Sequence, residues 1–121
     1  PAPAPGHEQR QGGLDAEGSE FMMQVFVREL GKNGLRLVNR TGPIQVHLAA
    51  DSQFELDMTA RQGMSANSFG LPGERIQSTV AGQTLHGTRM RGTVGKGGPM
   101  IYIESRAMGN VSLKAEDFEK R

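Results

Sequence analysis

At 121 residues, with 36% apolar side chains, 17 Gly, 6 Pro and no Cys, the chain has room for one domain. It cannot use disulfides, thiolate catalysis, cysteine-ligated zinc or iron–sulfur clusters. Net charge is +1, but residues 1–21 hold one Arg against Glu8, Asp15, Glu17 and Glu20, which leaves the remainder at a mildly basic +4 without the Lys/Arg stripe of a nucleic-acid binder.

Residues 1–21 open on alternating Pro and Ala and continue through polar and acidic runs too poor in apolar side chains to repay ordering. They are predicted to be a disordered tail or linker. Gly18-Ser19-Glu20-Phe21 also matches residues encoded by common cloning sites, so vector origin and native linker both fit. Residues 22–121 are predicted to form a single all-β domain. Frequent glycine and proline argue against long helices, because they weaken a helix interior by about 1 and about 3 kcal/mol. No stretch approaches the roughly 20 apolar residues of a membrane-spanning helix.

Met23-Gln24-Val25-Phe26-Val27 alternates weakly and is assigned to a strand. After Gly31-Lys32-Asn33-Gly34, Leu35 and Leu37 flank Arg36, and past Thr41-Gly42-Pro43 comes Ile44-Gln45-Val46-His47-Leu48. Phe54, Leu56, Met58 and Ala60 then alternate with Glu55, Asp57 and Thr59, the period of a half-buried strand. Residues 62–83 are looser and predict short strands within a long loop. Order returns at Thr84–Gly87 and Met90–Val94, followed by the turn Gly95–Pro99, the run Met100–Ile103 and a closing strand at Val111–Leu113.

Gly31-Lys32-Asn33-Gly34 and Gly95-Lys96-Gly97-Gly98 stand 64 positions apart, and each precedes an alternating run, a glycine turn and a second run. Gly42 matches Gly109 at an offset of 67, which makes Lys114 the position equivalent to His47. One strand-and-turn unit used twice is the expected arrangement. Gly34, Gly42, Gly98 and Gly109 are the structural turns, where glycine reaches positive φ without a Cβ penalty.

The segments Gly42-Pro-Ile-Gln-Val-His-Leu-Ala-Ala-Asp51, Phe54-Glu-Leu-Asp-Met58, Leu85-His-Gly87, Gly95-Lys-Gly-Gly-Pro99 and Gly109-Asn-Val-Ser-Leu113 resemble, in order, the bacterial putative-adhesin family of unknown function. The likeness covers about residues 35–114, with departures around Thr88–Arg91 and at Ala107. It implies stacked strand ladders in a β-roll or short right-handed β-solenoid, and a cell-envelope or extracellular location. An antiparallel β-sandwich is the alternative. The family implies no catalytic residues and no cofactor. Partners implied are an envelope protein, a glycan or a second copy through strand edges, with no nucleic acid.

Alternation sends His47 outward with Gln45, where a solvated side chain is expected rather than a general base. Glu55 and Asp57 share one face about 7 Å apart, a spacing open to a carboxylate pair but equally to a solubilising surface. The three histidines show no metal-site spacing, and no metal is expected. Neither Gly-Lys element fits a phosphate loop, because Gly97 follows Lys96 where Ser or Thr is needed. Arg89 and Arg91 flank Met90 on a strand, so both project from one face, with Lys96 near enough to join them. They are the candidate ligand-binding residues for a polyanion or glycan. Asn39-Arg40-Thr41 and Asn110-Val111-Ser112 match the glycosylation triplet.

Overall fold

The computed structural model describes residues 7–9, 14–19 and 21–117. Eleven strands run through them: β1 (His7–Gln9), β2 (Leu14–Gly18), β3 (Met23–Val27), β4 (Leu35–Asn39), β5 (Ile44–Ala49), β6 (Phe54–Ala60), β7 (Ser65–Asn67), β8 (Gly73–Val80), β9 (Gln83–Val94), β10 (Met100–Ser105) and β11 (Val111–Glu116). The protein is all-β, with two open sheets. One has the order β1-β3-β5-β11-β7 and the other β2-β4-β10-β6-β9-β8.

From β1 to β7 the chain changes sheet at every strand, so each strand joins a parallel neighbour rather than its sequence neighbour. Antiparallel pairing is confined to β6–β9 and β8–β9. The antiparallel sandwich therefore does not form: connections cross between the sheets instead of folding back within one. In passing from β5 to β6 and β7, the chain also leaves one slot open in each sheet. The last two strands fill them, β10 between β4 and β6, and β11 between β5 and β7.

Alternation decides which residues make the core. In β6, Phe54, Leu56, Met58 and Ala60 are buried while Glu55 and Asp57 are half-exposed. Register aligns these inward positions across strands: Leu35–Ile101–Leu56 and Leu37–Ile103–Met58 in one sheet, Val25–Val46–Leu113 in the other. Both sets join a single apolar cluster, in which each fully buried aliphatic side chain contributes about 2 kcal/mol. Phe69 meets Phe54 edge-on with centroids 5.1 Å apart, closing the cluster beside β7.

The two echoing segments lie side by side in register. Leu35–Asn39 faces Ile101–Ser105, and Ile44–Ala49 faces Val111–Glu116, which puts Lys114 beside His47. Gly34 has φ +76°, and a Cβ there would sit 2.2 Å from the Met100 carbonyl oxygen. The other turn glycines differ from expectation, because positive φ occurs at neither Gly42, Gly98 nor Gly109. At Gly109 the constraint is space: a Cβ would lie 2.7 Å from Pro43 N, where two turns of chain pass against each other. Residues 62–83 hold β7 and β8, and the two runs read between Thr84 and Val94 are one strand, β9.

The tail expected at residues 1–21 lies outside the described residues at 1–6, 10–13 and 20. Residues 14–18 lie parallel to Leu35–Asn39, and residues 7–9 lie parallel to Val25–Val27. Strand pairing with an existing edge supplies the backbone partners that the segment's own apolar content would not.

Candidate functional site in the outward faces of the two sheets

Arg89 and Arg91 project from the outward face of β9 and line one shallow cavity of about 490 Å³, together with Pro72, Gly73, Glu74 and Gly92. Their charges are already matched. Arg89 Nε and Nη2 donate to Asp57 Oδ1 and Oδ2 at 3.0 and 2.8 Å, a forked pair running diagonally across β6 and β9. Hydrogen bonding to Asp57 raises the Arg89 guanidinium above its ordinary value. Arg91 Nη2 reaches Glu74 Oε1 at 3.4 Å across β9 and β8. Lys96 does not line this cavity. It sits in the turn between β9 and β10, where its backbone N donates to Gln53 Oε1 at 3.2 Å. Glu55 and Asp57 do not act as a pair, for Glu55 accepts from Thr93 Oγ1 while Asp57 holds Arg89.

The same face carries a second polar group that sequence reading missed. Glu104 of β10 points outward but is only 2% exposed. Its carboxylate accepts from Arg61 Nε, from Tyr102 Oη at 2.9 Å and from Arg106 Nε at 3.3 Å. Burial works against its ionisation. The hydrogen bonds from Arg61 and Tyr102 outweigh that cost and hold the carboxyl below the usual carboxylate range. Tyr102 is pushed up, by burial first and then by its bond to Glu104. The arginines come from neighbouring rungs: the amides of Arg40, Arg106 and Arg61 donate to Gly18, Asn39 and Ser105 carbonyls, continuing the ladders past the ends of β4, β10 and β6. Further along, Arg36 bonds Asp15 at 3.0 Å and Glu17 at 3.3 Å, and Arg40 bonds Glu17. Ion pairs thus involve every strand of the six-stranded sheet.

Sheet register is what brings these groups together. Asp15, Arg36, Tyr102, Asp57 and Arg91 form one outward row across β2, β4, β10, β6 and β9. Period-two alternation revealed that each points outward. Which strands are neighbours has no local signal, so the pairing was not readable.

On the five-stranded sheet, His47 faces outward as alternation requires, but it is 8% exposed and not solvated. Its ring stacks on Phe26, the register neighbour on β3, with centroids 4.4 Å apart and planes 10° from parallel. Nδ1 lies 2.8 Å from Glu116 Oε1 on β11, and Nε2 lies 3.3 Å from Gln24 Nε2 and 3.2 Å from Gln45 Oε1. Gln24 also donates to Gln45 Oε1 at 2.7 Å. Both ring nitrogens have protein partners. Asn39, the first glycosylation candidate, is fully buried and donates through Nδ2 to Pro43 O, so it presents no acceptor surface.

Among the described residues no group of three His, Asp or Glu side chains is placed to hold a metal, and no helix is long and apolar enough to cross a membrane. Comparisons with family models, curated proteins and solved structures return no match for this chain.

Proposed function

We propose that this chain is a noncatalytic interaction module of the bacterial cell envelope, adhesin-like in character, built as a β-roll or short right-handed β-solenoid. The architectural part of the reading is supported by chain segments that change sheet strand by strand, and by the echoing sequence units lying in register as β4 beside β10 and β5 beside β11. The functional part is carried by one observation. β8 is the outermost strand of its sheet, eight residues long, with β9 as its pairing partner among the described residues. Residues 77–80 pair with 83–86 past the last β6–β9 pair, Ala60–Thr88, so β8 offers a long strand edge. Such an edge is a template for adding a strand from another chain.

The test is cosedimentation of the full chain with washed bacterial envelope particles, beside a variant carrying Gln77→Lys and Thr79→Lys, two exposed positions on that strand. Retention of the parent and release of the variant is expected, since edge lysines oppose strand addition. No retention, or equal retention of both chains, overturns the reading.

A second reading, binding of a polyanion or glycan through Arg89, Arg91 and Lys96, is favoured by the shared cavity of the two arginines. Asp57 and Glu74 compete with any ligand for those guanidinium groups, and Lys96 lies outside the cavity. A heparin titration that finds no salt-dependent affinity removes this reading.

A further inference from the structure

At the opposite end of the six-stranded sheet from β8, the edge of β4 is occupied by this chain's own residues 14–18. We propose that the β4 edge is a receptor for an extended acidic strand of another protein, and that Leu14–Gly18 is its resident occupant. The inference goes beyond the reading above, because it concerns a different edge and does not depend on the envelope.

Backbone pairing is parallel and continuous from Leu14–Leu35 to Gly18–Asn39, and the Arg40 amide extends it by donating to Gly18 O. What singles out this strand is its carboxylates. Asp15 and Glu17 stand at alternate positions, about 7 Å apart on one face. Arg36 forks between them and Arg40 takes the second oxygen of Glu17. Those bonds, Arg40 first and Arg36 second, hold the Glu17 carboxyl below its usual range. Recognition therefore reads a pattern of acid, small residue, acid.

Among the described side chains of this strand, residues 15–18, none is a fully buried apolar group, and Ala16 is only partly buried against the core. A β4 edge that depends on exposed ion pairs and backbone bonds can exchange one acidic strand for another. Arg36 and Arg40, at 44% and 56% side-chain exposure with β2 in place, remain reachable by an incoming carboxylate.

The experiment uses the full chain with Asp15→Asn and Glu17→Gln, which weakens the resident strand without removing it. A fluorescent peptide matching residues 13–19 is titrated against it, beside an analogue in which the two acids are Asn and Gln. The acidic peptide is expected to bind the weakened chain about tenfold more tightly than it binds the parent, and about tenfold more tightly than the neutral analogue does. Added salt should reduce that preference, and Arg36→Gln with Arg40→Gln should abolish it. Amide exchange across β4, β10 and β6 in each variant checks that the body stays folded. Equal binding of the two peptides, or no binding while residues 14–18 exchange freely, overturns the proposal. So does dimerisation of the weakened chain in sedimentation velocity that the acidic peptide does not reverse, which would make a second copy the partner.

Discussion

The outward faces of the two sheets solve the same problem with different chemistry. Each hides a titratable side chain that alternation directs away from the core: His47 on the five-stranded sheet and Glu104 on the six-stranded one. Around His47 the cover is neutral, a Phe26 ring and two glutamines, with the Glu116 carboxylate as the charged contact. Around Glu104 it is cationic, two guanidinium groups and a phenol. Pointing out of a sheet does not by itself solvate a side chain: the cross-strand neighbour Phe26 closes over His47, and Arg61 closes over Glu104 together with Tyr102 and Arg106, each two positions from it along the chain.

Removing the cationic cover from Glu104 has the largest expected effect. Arg61→Ala with Arg106→Ala leaves the Glu104 carboxylate to Tyr102 alone, and a loss of about 3 kcal/mol is expected near neutral pH in urea denaturation. The sign of its pH dependence follows from the shift. In the parent, Glu104 ionises below the usual value of 4.5, so its contribution is present above that pH and fades as pH falls through the lower folded-state value. Without the arginines, burial is opposed by the Tyr102 hydrogen bond alone and the carboxyl moves up. The variant's deficit should then shrink as pH falls through the parent's lowered folded-state value; a deficit that stays constant with pH contradicts the assignment.

The neutral face should give less. His47→Ala removes a stacked ring and deprives Glu116 of a donor, for an expected loss of about 2 kcal/mol that salt hardly alters. Strong salt sensitivity would show that its cover is electrostatic after all. The smallest effects separate the two arginines expected from sequence to bind ligand. Arg89→Ala loses a forked pair to Asp57, in which the arginine is 35% and the aspartate 22% exposed, and should cost about 1 kcal/mol after allowance for screening. Arg91→Ala loses one long contact between groups each 57% exposed and should cost under about 0.5 kcal/mol. Equal losses in thermal unfolding would mean that the fork does not matter.

Much of this architecture was legible in local pattern. Period-two alternation located β4, β5, β6 and the apolar part of β10, and the glycine-based echo made Lys114 the equivalent of His47; in the sheet the two are register neighbours. Strand direction was not legible, because an inward-outward alternation reads the same in parallel and antiparallel neighbours. Nor was β2: residues 14–18 carry too little apolar surface to announce a strand, and β4 supplies the reason they form one. For the site, alternation put Arg89 and Arg91 on one face but could not reveal that Asp57, thirty-two positions earlier than Arg89, would hold it. Arg61, Glu104 and Arg106 escaped notice for the same reason. They are scattered in sequence and meet only because β10 enters beside β6.

The late arrival of β10 and β11 bears on how the protein is made. As the chain leaves the ribosome, β4 and β6 have no partner in common, nor have β5 and β7, until Met100–Glu116 has emerged to bridge them. Neither sheet is continuous before that point, and both become so together. Completion of both sheets during synthesis therefore waits for Met100–Glu116 to emerge, and nascent chains stalled short of it carry exposed strand edges that chaperones must shield.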